Sequence, residues 1–189
     1  MYPGDIPLHD FPYRHDLDPP IMIKRLNPNE PWMKPAPDRH TFFALFWISE
    51  GEGFHHIDYT GYAIRPQTLY LMRPGQTHFF EVEKRPEGIS IFFLEEFLYL
   101  NNRFLLTELF YLIDRCPTLY SRQAQANILQ QVIEQLLIEY DSEQLGYLDA
   151  LQHLLKLLLI YVRRFYSLPN TDFVEPTAIV DVEANARVC

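Results

Sequence analysis

The stretch from Gly51 to His78 constrains the fold most. It reads G-E-G-F-H-H-I-D-Y, passes a turn at Thr60-Gly61, and runs on to T-L-Y-L-M-R-P-G-Q-T-H. Pro74 presets φ for the first central position of a reversal and Gly75 tolerates the positive φ of the second, so the pair marks a sharp type II turn. Gly51 and Gly53 flank another reversal. Extended runs between tight turns, with His55, His56 and His78 just after them, predict a small antiparallel barrel that gathers polar side chains at one end.

The flanking sequence extends this pattern. Asp38 to Ser49 reads as a strand with two apolar faces: His40, Phe42, Ala44, Phe46 and Ile48 on one, Thr41, Phe43, Leu45, Trp47 and Ser49 on the other. Both faces then need cover, one from the barrel interior and one from helix or partner. Further strands are expected at Phe54–Tyr59, Tyr62–Arg65, Thr68–Arg73, Thr77–Lys84 and Ile89–Leu94, with a turn at Arg85-Pro86-Glu87-Gly88. In Thr77–Lys84, His78, Phe80 and Val82 share a face while Glu81 and Glu83 face water.

Near Glu95 the period changes from two to that of a helix. Apolar residues recur at helical spacing through Arg103–Arg115, then along Ser121–Tyr140 and Tyr147–Ser167. The chain therefore divides into a proline-rich arm (1–37), a barrel (38–95), a helical region (96–168) and a linker or tail (169–189). The class is α+β, mainly β: an antiparallel barrel followed by a C-terminal helical pair. The arm reads either as a loose lead-in or as a lid anchored by Phe11 and Trp32, with Ile21–Leu26 a possible first strand. The apolar stripe of the last helix is wider than one packing face needs. Either the helix is sandwiched between the barrel and the preceding helix, or Leu148, Leu151, Leu155, Leu158 and Val162 form a homodimer interface.

Composition removes several functions. A net charge of −9 argues against direct duplex binding, which needs clustered Lys and Arg. Two cysteines, Cys116 and Cys189, suggest neither a disulfide framework nor a zinc site, and fit a reducing cytoplasm. No secretory leader is visible, and the greasiest run, Leu154–Val162, contains Lys156 and is too short to span a bilayer, so no membrane role is expected.

These residues resemble the amino-terminal effector domain of AraC-type transcriptional regulators, a cupin-like (jelly-roll) barrel followed by helices. The resemblance rests on G-x-G-x-H-x-I-D (Gly51, Gly53, His55, Ile57, Asp58), on Tyr62, and on L-x-L-x-x-P-G-Q-x-H (Leu69, Leu71, Pro74, Gly75, Gln76, His78). It extends through Glu96-Phe97-Leu98 and the two leucine-rich helices, covering about residues 38–168. It implies a module that senses a small effector, sugars among the candidates, and dimerises. DNA would be contacted only through a helix-turn-helix module not present in this chain.

Ligand contacts are expected from inward residues near the barrel mouth: His40, Phe42, Phe46, His55, His78 and Phe80. Aromatic faces suit C–H patches and imidazoles suit hydroxyls. Many cupins hold a metal with an H-x-H pair, a Glu and a second-motif His. Here His78 takes the second-motif place, but His55 and His56 are adjacent and point to opposite faces of a strand. No metal or other cofactor is therefore expected, and no enzyme. A metal-dependent cupin enzyme and a stand-alone carbohydrate-binding cupin are the alternatives. Arg65 and Arg73 could pair an anionic effector but are more simply solvated, and Glu50 would disfavour one nearby.

Overall fold

Two long strands, β4 (Phe43–Ile57) and β7 (His78–Phe93), pair antiparallel along most of their length and form the frame of the molecule. The computed structural model describes residues 6–12, 19–26, 36–58, 60–98, 107, 110–111, 113–114 and 116–167. Around the frame lie β1 (Leu8–His9), β2 (Ile21–Leu26), β3 (Arg39–His40), β5 (Thr60–Ile64), β6 (Thr68–Met72) and β8 (Thr118–Tyr120). A short 3-10 helix spans Glu95–Leu98, and two long helices follow, α1 (Gln123–Ser142) and α2 (Tyr147–Tyr166). The main sheet runs β2-β7-β4-β6-β8, with β5 on the far half of β4; β1 and β3 form a small parallel pair. This is the expected α+β arrangement, an antiparallel sheet curled into a cupin-like shell with a helical pair behind it.

Two expected reversals are instead bends. β4 runs through Gly51 and Gly53, and β7 runs through Arg85–Gly88, without turning back. The β4–β7 register slips between Ile48 and Gly53: Glu50 pairs Glu87 and Glu52 pairs Lys84, so Arg85 and Pro86 are left out of the ladder. A bulge is where a strand can carry a proline, since no ladder donor is lost. The bend also demands glycine. At Gly53 (φ 128°) and Gly88 (φ 153°), an added Cβ would run into the carbonyl oxygens of Glu81 and Trp47 respectively. The turn expected at Thr60-Gly61 falls earlier, between Ile57 and Thr60, with Asp58 left-handed (φ 53°).

Both faces of the first half of β4 are buried, as its composition requires. Phe43, Leu45 and Trp47 join Ile21, Ile23, Leu69, Leu71, Ile91 and Phe93 in a core that continues into α1 and α2. The Trp47 indole N–H donates to Gln130 Oε1 on α1 at 2.7 Å, which satisfies its polar edge. Ala44, Phe46 and Ile48 face the other way and meet Tyr70, Met72, Ile57, Ile64 and Phe80 inside the barrel.

The helical stripe resolves in favour of internal packing. Leu151, Leu155, Leu158 and Val162 are each 0 % exposed within one chain, against the sheet core and α1 residues such as Leu129, Ile133 and Leu136. That corrects the expected dimer face at these four positions, because a side chain with no accessible surface cannot meet a second copy. Leu148, the fifth, stays 40 % exposed. The outward stripe of α2 carries Leu157, with half-buried Ile160 a turn on.

Candidate functional site

Pairing across the sheet places the site. Lys24 on β2 lies opposite Ser90 on β7, which lies opposite Phe46 on β4. Directly paired residues share a face, so these three form a row on the barrel side. Phe92, two residues along β7, shares that face. Asp38 and His78 bridge each other through both backbone bonds, at 3.0 and 2.9 Å, which closes the barrel end. β1 runs beside β3 and brings His9 next to His40. Together His9, Lys24, Asp38, His40, Phe42, Phe46, His78, Ser90 and Phe92 line a cavity of about 260 Å³.

The polar wall is a set of connected imidazoles. His78 Nε2 lies 2.9 Å from Asp38 Oδ1, and His78 Nδ1 lies 3.1 Å from His55 Nε2. His9 Nε2 approaches the other Asp38 oxygen at 3.7 Å. His40 Nδ1 sits 2.7 Å from the Phe42 carbonyl, which can only accept, so Nδ1 carries the hydrogen. Burial, and then the neighbouring His78, hold His40 down at about 4, so its ring is neutral at pH 7 and Nε2 is a bare acceptor. That nitrogen is buried with no partner among the described residues. Burial, again with His78, holds fully buried His55 well below the ordinary histidine range, and its Nδ1 is also unpartnered.

Of the six residues expected to contact a ligand, His40, Phe42, Phe46 and His78 line this cavity. His55 and Phe80 lie inside the barrel but off its wall, stacked on each other at 4.0 Å with His55 bonded to His78. His56 faces the other way, 2.9 Å from Glu81. His9, Lys24, Asp38, Ser90 and Phe92 were not expected on the wall. Lys24 carried a signal: it interrupts an alternating stripe between Met22 and Leu26, both about 5 % exposed or less. Asp38, His9 and Ser90 carried none, because only long-range pairing brings them here.

The arm reaches the site, since Phe11 is buried with its ring edge-on to Phe42 at 5.6 Å. Trp32, the other expected anchor, lies outside the described residues.

Several motif residues are scaffold. Gln76 Oε1 accepts from the Arg73 backbone N–H at 3.0 Å and its Nε2 donates to Asp58 Oδ2 at 2.9 Å. Asp58 Oδ1 accepts from the Thr77 N–H at 3.0 Å. Gln76 thus ties down the Pro74-Gly75 turn and links it to the Asp58 turn. Arg73 pairs Asp114 at 2.8 Å, Glu50 pairs Lys84 at 3.0 Å, and Arg65 lies over the Tyr120 ring. None of these lines the cavity. Among the described residues, no group of three or more His, Cys, Asp and Glu side chains is arranged to hold a metal ion.

The family model described as an AraC-like ligand binding domain matches residues 25–158. The chain belongs to that family. The match runs from β2 into α2 and so takes in the barrel, most of the cavity wall and much of the helical pair. Lys24 lies one residue before it, and His9 further upstream. Among solved structures, the AraC-like transcriptional activator CuxR is similar at 10 % identity with a TM-score of 0.48 over 83 % of this chain and 53 % of that one. The present chain thus spans about half the length of that structure. No curated protein matches the chain. Among the described residues, no helix is long and apolar enough to cross a membrane.

Proposed function

We propose that this domain senses a small effector on behalf of a transcription regulator, and that the effector sits in the cavity between β2, β3, β4 and β7. One observation carries the reading. A closed barrel end holds a cavity of about 260 Å³ whose wall mixes three phenylalanines with Asp38, His40, His78 and Lys24. That blend of apolar body and few convergent polar groups is what a small-molecule site requires. Its size favours a ligand below drug dimensions, sugars among them. No covalent step is assigned: the role is binding, and DNA is contacted through a helix-turn-helix module outside this chain.

Thermal shift against a panel of small polar compounds tests the reading. A ligand that binds only the folded state raises the melting temperature. The rise disappears in Ser90→Trp, which fills the cavity floor. A panel in which nothing raises the melting temperature counts against it.

The regulatory reading also calls for two copies acting together. With Leu151, Leu155, Leu158 and Val162 used internally, the outward side of α2 around Leu157 is the surface that supports pairing through this helix. Sedimentation of wild type and Leu157→Glu tests that surface. The wild type sediments as a dimer and the variant as a monomer; a monomeric wild type at high concentration counts against it.

A further inference from the structure

The cavity wall holds two groups that have no counterpart among the described residues. The first is Lys24. Alternation along β2 turns Met22, Lys24 and Leu26 to the inside, where Met22 and Leu26 are 5 % and 4 % exposed. The ammonium group therefore starts from an apolar stripe beside Ser90 and Phe46. It has no acidic partner among the described residues. The carboxylate on the wall, Asp38, has its oxygens turned toward His78 at 2.9 Å and His9 at 3.7 Å. A half-buried ammonium on the cavity wall with no counter-charge among the described residues is available to an anion from outside.

The second is His40, which is 4 % exposed. Its Nδ1–H is spent on the Phe42 carbonyl, and the lone pair of Nε2 meets no donor among the described residues. Phe42, Phe46 and Phe92 line the same cavity, with the Phe92 ring centroid 5.3 Å from that of Phe42 and 5.8 Å from that of Phe46.

We infer that the effector is a small organic acid with an apolar body and a hydroxyl or N–H donor, its carboxylate seated on Lys24 and its donor on His40 Nε2. This rests on the sensing role proposed above and narrows its ligand. A neutral sugar would use His40 but leave Lys24 uncompensated. A simple aliphatic acid would use Lys24 but leave the buried His40 lone pair unmet. A charge-assisted bond at Lys24 is about twice as strong as a neutral one, so the acid group dominates affinity. Lys24 lies one residue before the segment matched by the family model.

Isothermal titration at neutral pH with four probes tests it: 3-hydroxybenzoate, benzoate, 3-hydroxybenzyl alcohol and D-glucose. The hydroxy acid binds best. Benzoate, which lacks the donor, and the alcohol, which lacks the charge, each bind at least about tenfold more weakly. Lys24→Met weakens both acids by about tenfold or more, while Lys24→Arg retains them. Lys24→Met places an apolar side chain between Met22 and Leu26, and Lys24→Gln supplies a second neutral variant should the first fold poorly. Undiminished binding of the acids by both neutral variants overturns the inference. So does binding of glucose or the alcohol in preference to the acids; either result leaves the sensing role standing. If none of the four probes binds to wild type, the inference falls, while the sensing role is decided by the wider thermal-shift panel.

Discussion

Strand β4 sends Phe43, Leu45 and Trp47 to one side of the sheet and Ala44, Phe46 and Ile48 to the other, and the two sides serve different ends. The helix side is a continuous apolar core reaching through α1 and α2, and its indole N–H is bonded. The barrel side is equally apolar along the middle of the strand but gives way at one end. There Phe46 meets His78, Lys24 and Ser90, and buried imidazole nitrogens of His40 and His55 have no partner among the described residues. The contrast separates what holds the molecule together from what is left open to a guest. Departures from well-satisfied packing gather where a binding site is expected.

The comparison breaks if the helix side proves dispensable. Trp47→Ala removes a large buried side chain and strands Gln130, and is expected to cost about 3–5 kcal/mol in urea denaturation. A loss under about 1 kcal/mol would mean that face is not the structural one.

The barrel side is sharpened by acid. Burial lowers His40 from 6.5 to about 4 in the folded state. The unfolded chain therefore takes up this proton first, so stability is full above pH 6.5 and drains as pH falls toward 4. Below that, both states are protonated and His40 contributes no further loss. The linked change is about 3 kcal/mol. His55 acts in the same direction. Denaturation midpoints at pH 7.5 and pH 5 measure it, and His40→Gln should flatten the slope; an unchanged slope would remove His40 as its source.

Lys24→Met is the next smallest. With Met22 and Leu26 as neighbours, it should leave thermal stability unchanged or raise it by about 1 kcal/mol, because a partly desolvated charge is removed. A clear loss of stability would show Lys24 to be part of the frame after all. Leu157→Glu, on the outer surface, should change the stability of the isolated chain by no more than about 0.5 kcal/mol. The same change at Leu151 should unfold it.

Local pattern reported the elements well and their continuity poorly. Alternation from His40 to Ser49 announced a strand covered on both sides, and helical spacing after Ser121 announced the two helices. Gly51, Gly53 and Pro86-Glu87-Gly88 read as reversals because the residues that permit a turn also permit a bulge. The choice between them is made by the partner strand. The same limit governs the site. His40, Phe42, Phe46 and His78 lie in stretches whose own alternation points them inward. Lys24, Ser90 and Phe92 join them only through the β2–β7–β4 register, and His9 only through the β1–β3 pair. Leu151, Leu155, Leu158 and Val162 show the converse, since a wide apolar stripe looks the same whether the cover comes from within or from a second copy.

Phe46 and Trp47 are consecutive residues, one touching the cavity and the other bonded to Gln130 on α1. From the proposed ligand site to that helix is a single peptide unit. Whatever rides on the outside of that helix would stand within earshot of the chamber, with no hinge or long relay in between.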